Sequence, residues 1–331
     1  MITAKDIDFH HAADVNHEWA ETNFFSFYVP EERLLGSVYT VARAGLGACV
    51  SEMIVYRGLS PDRLNVVHHD VQEHLPMPKS YSDYHLPNGM HVKAVNAPRD
   101  YRIDYVGHNG TELHIDYVGL MDPFDIHDAN QNTRAQKTES DQVAGSGFGE
   151  GYKGHFDQTA HVKGELKLGK RTYKIDCVDT MDHSWGPRAE YGMHTLCWMH
   201  ASFGKGLTVH MILHFKPFAG REQQYELAHG YVLREGKVTP IAKARIRADR
   251  VGLQGVAMDV EVTDAGGQSL SMRGGAIAGG AWPCYLALHI QNSLHQWTTN
   301  DGRTGYGVVQ DAWTMEGFAE RNLAALEASK G

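Results

Sequence analysis

The sequence has no long apolar run, and none of its 331 residues belongs to a stretch near the roughly 18 apolar residues that span a membrane. Basic charge is also scarce. With 31 Lys and Arg against 40 Asp and Glu, the net charge is −9, which argues against a partner with a phosphate backbone. The acidic N-terminus does not resemble a secretory signal. We therefore expect a cytoplasmic protein with no nucleic-acid partner and no membrane insertion.

Cysteine is equally sparse. The four cysteines are scattered, with neither a C-x-x-C pair nor a zinc-finger spacing, so we expect reduced thiols and no disulfide framework. The run 149–154 formally matches G-x-G-x-x-G. A dinucleotide site needs a strand before this motif and a helix after it, whereas here a polar loop precedes and a strand follows. No cofactor is therefore predicted.

Strand–helix alternation is missing too, which argues against a parallel α/β sheet. The sequence has instead many period-2 stretches separated by turn residues, and Asn109-Gly110 is the strongest of these turn signals. Five hairpins are predicted, joining 37–43 to 48–56, 101–106 to 112–118, 161–168 to 171–178, 194–202 to 207–215 and 256–262 to 269–273. A single substantial helix is predicted over 315–330. The predicted fold class is all-β, with antiparallel barrels or sandwiches.

The stretch 122–154 interrupts this rhythm. It is rich in Asp, Asn and Gly and poor in aliphatic residues, as is typical of a linker or a functional lid. We place the domain boundary there, which predicts an N-terminal β-domain over 1–145 and a C-terminal β-domain with its closing helix over 146–331.

The hairpin 194–215 carries a pattern of histidine and tryptophan. If its turn centres on Lys205, His200 lies opposite His210, and the period of two separates the side chains into two faces. One face is apolar, with Cys197, Met199, Val209, Met211, Leu213 and Phe215. The other face carries His194, Trp198, His200, His210 and His214.

A second strand, 285–297, has a similar face that includes His289 and Trp297. Such faces favour the lumen of a small β-barrel that holds one ligand, with histidine available for proton transfer near neutral pH. Two alternatives stay open. The faces could lie on the solvent-exposed exterior of the sheet. Alternatively, the histidines could bind a metal, although no carboxylate obviously belongs to this set of residues. Our prediction is a cavity lining without metal.

The segment after the third hairpin carries a recognisable motif. Gly164, Leu166, Leu168 and Tyr173 are followed by Met181-Asp182-His183-Ser184-Trp185-Gly186-Pro187-Arg188. This arrangement resembles the bacterial proteins related to hydroxyneurosporene synthase, the carotenoid 1,2-hydratase group. Ser184 stands where those hydratases more often have Glu or Gln, so the carotenoid substrate does not carry over.

The resemblance implies two lipocalin-like β-domains, no cofactor, a hydrophobic small-molecule substrate and acid-catalysed addition or loss of water. Protonating an alkene needs a carboxylic acid whose pKa is raised by burial, and aromatic faces that stabilise the developing cation. The candidate catalytic residues are Asp182, His183, His200 and His210. The candidate substrate-binding residues are Trp185, Tyr191, His194, Trp198, His214, His289 and Trp297.

Several alternatives accompany this hypothesis. The motif could be structural, with Asp182 capping a turn and Trp185 plugging a barrel end. The protein could be a carrier of a hydrophobic ligand rather than a lyase or isomerase, or a metal-dependent hydrolase. A homodimer is also left open. The substrate itself is not readable from the sequence.

Overall fold

The computed structural model describes residues 1–12, 14–60, 62, 64–136, 138–189, 191–285 and 287–329. Two antiparallel units account for nearly all of the strands: a curled 11-stranded sheet and a closed eight-stranded barrel. The predicted all-β fold class, with barrel, sheet and C-terminal helix, is confirmed.

The curled sheet has the strand order β4-β3-β2-β1-β11-β10-β8-β7-β6-β5, with β9 paired to β10. Its strands are β1 Trp19–Val29, β2 Leu34–Arg43, β3 Ala48–Arg57, β4 His68–Pro76, β5 Asp83–His85, β6 Met90–Asn96, β7 Asp100–Val106, β8 Thr111–Gly119, β9 Phe124–Asp125, β10 Gly154–Leu168 and β11 Arg171–Pro187.

The barrel closes in sequence order from β12 to β19. Its strands are β12 Leu196–Ser202, β13 Leu207–Phe215, β14 Tyr225–Arg234, β15 Lys237–Val251, β16 Gln254–Asp264, β17 Ser269–Trp282, β18 Leu288–Thr299 and β19 Thr304–Thr314. The α-helices are α1 Glu139–Gly145 and α2 Met315–Ala328. Short 3-10 turns cover Pro30–Glu32, Ala44–Leu46, His108–Gly110, Gly149–Tyr152 and Arg221–Gln223.

All five predicted hairpins are present, as β2–β3, β7–β8, β10–β11, β12–β13 and β16–β17. Asn109 and Gly110 both have left-handed backbone angles, with φ of 58° and 70°. A tight turn between β-strands requires such angles, and Asn and Gly adopt them at low energy. The local turn chemistry therefore specifies this connection.

The predicted C-terminal helix is also present. It begins after Thr314, whose side chain accepts a hydrogen bond from the backbone N–H of Gly317 at 3.2 Å, and it runs to Ala328. Lys330, the predicted end, lies outside the described residues. None of the helices in the described part of the chain has the length and apolar character needed to cross a membrane.

The two sheets divide the chain between Pro187 and Leu196, well beyond the predicted boundary at 145/146. Strand β10 pairs with β8, and β11 pairs with β1, so this long hairpin completes the curled sheet rather than opening the barrel. The segment 122–154 contains only short elements, in agreement with its linker-like composition. The strand that follows it, β10, nevertheless belongs to the same sheet as the strands before it. Pairing between distant strands is not visible in a local pattern.

The predicted register of the β12–β13 hairpin is confirmed: His200 pairs with His210, Trp198 with Ile212 and Leu196 with His214. The prediction that this face lines the barrel lumen is wrong. The apolar face, including Met199 and Met211, fills the barrel interior, and Trp198 belongs to a separate core cluster shared with the curled sheet. His200 and His210 are fully buried, so the solvent-exposed alternative is wrong as well.

The N-terminal segment is held to the sheet by Glu21 on β1. Its carboxylate accepts hydrogen bonds from the backbone N–H groups of His10 and His11, at 2.8 and 3.0 Å, and from Trp19 Nε1 at 3.0 Å. Burial alone would raise the pKa of Glu21, but these donors and the two histidine rings lower it from 4.5 to about 2.

We expect Glu21→Gln to lower the free energy of unfolding by about 3 kcal/mol at pH 7. Because the pKa of Glu21 is lowered in the fold, its contribution is complete above pH 4.5 and is lost as the pH falls towards about 2. Urea unfolding at several pH values measures this. The difference from wild type should shrink on acidification, while the exposed control Glu73→Gln should change little. A difference that does not depend on pH contradicts the assignment.

Candidate active site

A cavity lies where the outer surface of the barrel packs on the curled sheet. Its volume is about 50 Å³, and it is partly open to solvent. Aromatic, hydroxyl and charged side chains line it together. The lining residues are Thr22, Phe24, Tyr39, Phe148, Tyr152, Asp182, Ser184, Arg188, Leu196, Trp198, Trp282, Cys284, Tyr285, Leu288, Ile290, Gln310 and Ala312.

Asp182 is the acidic group of this cavity. It lies in the middle of β11, paired with Phe24 on one side and Asp157 on the other. Its carboxyl group makes no hydrogen bond within the described residues, so it does not cap a turn. Burial raises its pKa from 3.8 to about 7; the negative charge of Asp157 adds to this effect, while His155 and Arg188 oppose it. A carboxylic acid that is protonated near neutral pH therefore faces the cavity.

Behind Asp182, its neighbour Asp157 is held in the opposite ionisation state. Asp157 Oδ2 lies 2.9 Å from His155 Nε2 and 3.0 Å from His210 Nε2, and Oδ1 accepts a hydrogen bond from Trp198 Nε1 at 2.9 Å. Burial would raise the pKa of Asp157, but the two imidazoles outweigh it and hold the pKa well below the ordinary value. Asp157 in turn raises the pKa of His155 against the effect of burial.

These two carboxyl groups thus occupy neighbouring strands with their pKa values pushed apart. One is ionised and paired with imidazole, and the other is protonated below about pH 7. Separation of this kind is a common property of sites that perform acid–base chemistry. The same network fixes the ring of Trp198, which lines the cavity.

Arg188 forms a second polar centre. It is 4% exposed, and its NH1 donates to Tyr39 Oη at 3.1 Å and also to Tyr285 Oη. Its NH2 donates to Ser184 Oγ at 2.5 Å. The two phenol oxygens lie 2.8 Å apart. A buried guanidinium and two hydroxyls therefore meet at one place on the cavity wall.

The position of Tyr152 depends on a glycine in β11. Gly186 has φ of 154°, and a Cβ there would lie 2.2 Å from the carbonyl oxygen of Glu150. This close approach lets the 3-10 turn Gly149–Tyr152 lie against β11 and bring Tyr152 to the cavity. Burial, followed by the charge of Asp182, raises the pKa of Tyr152 well above its usual value, so its hydroxyl remains a donor.

His183 and Trp185, both predicted in the site, lie on the other face of β11, because side chains alternate along a strand. His183 Nδ1 donates to the carbonyl oxygen of Thr22 at 2.8 Å, and burial lowers its pKa to about 3. Trp185 stacks on His10 with ring centroids 3.6 Å apart. Neither residue lines the cavity.

The remaining predicted residues are dispersed. Tyr191 is 77% exposed and shares a shallow surface depression with His194. His214 pairs with Glu226 on the barrel surface, and His289 contacts Phe318 of α2. Three more are buried away from the cavity: Trp297 inside the barrel, His210 at Asp157, and His200 with its Nε2 2.8 Å from Asp179 Oδ1. Of the predicted set, Asp182 and Trp198 line the cavity.

Most of the polar residues that line the cavity were not predicted from the sequence. Arg188 is the last residue of the motif 181–188. Nothing in the neighbouring sequence distinguishes this buried arginine from an exposed one. Tyr39, Tyr285 and Trp282 come from separate strands and loops, and only the packing of the barrel on the sheet brings them together. Trp282 is fixed there by its indole N–H, which donates to Glu52 Oε2 at 2.7 Å.

The metal alternative gains no support from the histidines of the β12–β13 hairpin. Among the described residues, the groups that could hold an ion are His10 with Glu21 and His183, and Asp83 with His85 and His91. His200 and His210 belong to neither group. The oxygens of Glu21 are already engaged by the donors described above.

The family model for a domain of unknown function, DUF7064, matches residues 4–315. The chain belongs to the DUF7064 family. A search of curated protein sequences finds no significant match. Among solved structures, a protein described as AttH from Nitrosomonas europaea is similar at a TM-score of 0.55 and 9% identity, covering 89% of this chain and 92% of that one.

Kievitone hydratase from Nectria haematococca is similar at a TM-score of 0.52 and 10% identity, covering 91% of each chain. At these identities the two similarities show the fold. Membership of the hydroxyneurosporene synthase group itself and the role of the motif 181–188 stay predictions.

Proposed function

We propose that this DUF7064 protein is a cofactor-independent lyase of the hydratase or dehydratase type, acting on a hydrophobic small molecule in the cavity between sheet and barrel. The observation that carries this proposal is Asp182, an acid without a hydrogen-bond partner among the described residues, whose pKa is raised to about 7 beside an aromatic wall. The hydratase activity named for the structural neighbour from Nectria haematococca is consistent with it.

In the hydration direction, the Asp182 carboxyl gives its proton to one carbon of a substrate double bond. Positive charge then develops on the other carbon, facing the rings of Trp198 and Trp282, whose electron-rich faces favour a cation. Water adds to that carbon, and its surplus proton returns to the Asp182 carboxylate, which restores the acid. Dehydration follows the same steps in reverse, with Asp182 protonating the departing hydroxyl group.

The pH dependence of the rate tests the assignment of the acid. Because the protonated form of Asp182 is the active one, we expect the rate to be level below about pH 7 and to fall above it as the carboxyl ionises. Initial rates between pH 5 and pH 9, with the melting temperature measured in each buffer, would show this. A rate that rises through this range contradicts a proton-donating Asp182.

The reaction class can be tested before the substrate is known. The protein is incubated with a panel of hydrophobic alkenes and alcohols in ¹⁸O-labelled water, and mass spectrometry detects the gain or loss of one water with its label. We expect turnover of at least one pair, at a rate lowered by about 10²- to 10⁴-fold in Asp182→Asn. Native mass spectrometry that finds panel compounds bound but unchanged would instead support the carrier alternative.

A further inference from the structure

Arg188 is a buried cation without a counter-ion in the described part of the chain. Arg188 is only 4% exposed. Even so, no carboxylate of the described residues forms an ion pair with it. Two other partly buried arginines differ. Arg250 pairs with Asp311 at 2.7 Å, and Arg234 pairs with Asp264. A buried charge left unpaired is destabilising by several kcal/mol, so such a charge usually has a partner that binds it.

The hydrogen-bond donors around Arg188 are also incompletely used. Its Nε–H has no acceptor among the described residues. Tyr39 and Tyr285 both accept from Arg188 and share one hydrogen bond between them, which uses one of their two hydroxyl hydrogens. The other hydroxyl hydrogen has no acceptor in the described residues. One cation, whose unused Nε–H is enclosed, and one free tyrosine hydroxyl hydrogen therefore lie in the same wall of the cavity.

Nearby carboxyl groups do not supply the missing charge. Asp157 is matched by His155 and His210, and Asp182 is protonated near neutral pH. Tyr39 and Tyr152 are neutral, because burial raises their pKa values well above the ordinary value. The cavity thus has a net positive charge at its Arg188 end and an aromatic, apolar body.

We propose that the ligand of this cavity is an aromatic or otherwise apolar carboxylic acid, whose carboxylate is bound by Arg188 with Tyr39 and Tyr285. A carboxylate there accepts the free tyrosine hydroxyl hydrogen beside the Arg188 charge, and hydrogen bonds to an ionised group are stronger than those between neutral groups. This inference rests on the proposed function only in treating the ligand as the substrate. It adds the anchoring group that would hold the double bond near Asp182.

Binding of 2-naphthoate and 2-naphthamide tests this, because the two have nearly the same shape and differ in charge. Calorimetry, with quenching of tryptophan fluorescence as a second readout, should show 2-naphthoate binding about 10- to 100-fold more tightly, the range of a charge-assisted hydrogen bond. Arg188→Gln should remove this preference, because it weakens the binding of the charged 2-naphthoate far more than that of 2-naphthamide. Asp182→Asn should keep the preference.

The double variant Tyr39→Phe with Tyr285→Phe keeps the cation and removes both hydroxyls, so the test does not depend on Arg188→Gln folding. We expect it to weaken 2-naphthoate about 3- to 10-fold and 2-naphthamide by less, because a hydrogen bond to a charged acceptor is the stronger one. Equal binding of the two probes by the wild-type protein, no binding of 2-naphthoate, or tighter binding of neutral 2-naphthol would overturn the proposal. An active Asp182→Asn protein that still prefers 2-naphthoate would overturn the proposed reaction and leave the carboxylate site standing.

Discussion

Asp182→Asn should reduce turnover by about 10²- to 10⁴-fold, which is the usual contribution of a general acid or base. The amide has nearly the same shape as the carboxyl group but cannot give up a proton to the substrate. The fold should not suffer. Because the pKa of Asp182 is raised from 3.8 to about 7, its ionised form is destabilising, and the substitution removes that effect at and above neutral pH. The melting temperature at pH 8 should therefore be equal to or higher than that of wild type.

Turnover and melting temperature should be measured on the same preparation. Asp182→Glu is the matched control: it keeps an acid but moves it by one methylene, so it should retain more activity than the amide. If Asp182 had only a structural role, Asp182→Asn would lower the melting temperature and leave the rate per folded molecule intact. That combination would rule out the catalytic assignment.

Asp157→Asn should have the largest effect on stability, about 3–5 kcal/mol of the free energy of unfolding at pH 7. The substitution leaves His155 buried without its counter-charge and removes the carboxylate beside His210. Because the pKa of Asp157 is lowered in the fold, its contribution is complete above the ordinary value of 3.8 and is lost as the pH falls through the lower folded value. The difference from wild type should therefore decrease in acid.

A surface pair on the same two strands provides the control. Asp176 of β11 lies 2.7 Å from His161 Nε2 of β10, but its side chain is 47% exposed. Asp176→Asn should change the free energy of unfolding by no more than about 0.5 kcal/mol. Denaturant unfolding of both variants compares an aspartate–histidine contact inside the molecule with one at its surface. Similar losses in the two would contradict the role given to burial.

The local features of the fold were predictable from the sequence. Turn residues specified the hairpins, and the turn at Lys205 gave the pairing of His200 with His210. The period of two shows which side chains share a face, but not which face lies inside a barrel. Here both faces of β12 are buried, one in the barrel interior and one against the curled sheet, so composition alone assigned the lumen to the wrong face.

The site was predictable only in part. Asp182 and Trp198 were chosen from the motif and from the aromatic pattern, and both line the cavity. His183 was chosen because it is adjacent in sequence, but adjacent residues in a strand point to opposite faces. Arg188 and Tyr285 meet only because the barrel packs on the sheet, and this is a long-range contact that no local period encodes.

The ionisation of Asp182 is the central claim, and its carboxyl carbon can report it directly. The protein is labelled with ¹³C-aspartate, the Asp182 resonance is assigned by its absence from Asp182→Asn, and its chemical shift is followed between pH 3 and pH 9. We predict a midpoint of about 7, with the carboxyl still protonated at pH 5. A midpoint near the ordinary value of 3.8 would mean that the cavity holds a carboxylate at neutral pH and would contradict acid catalysis by Asp182.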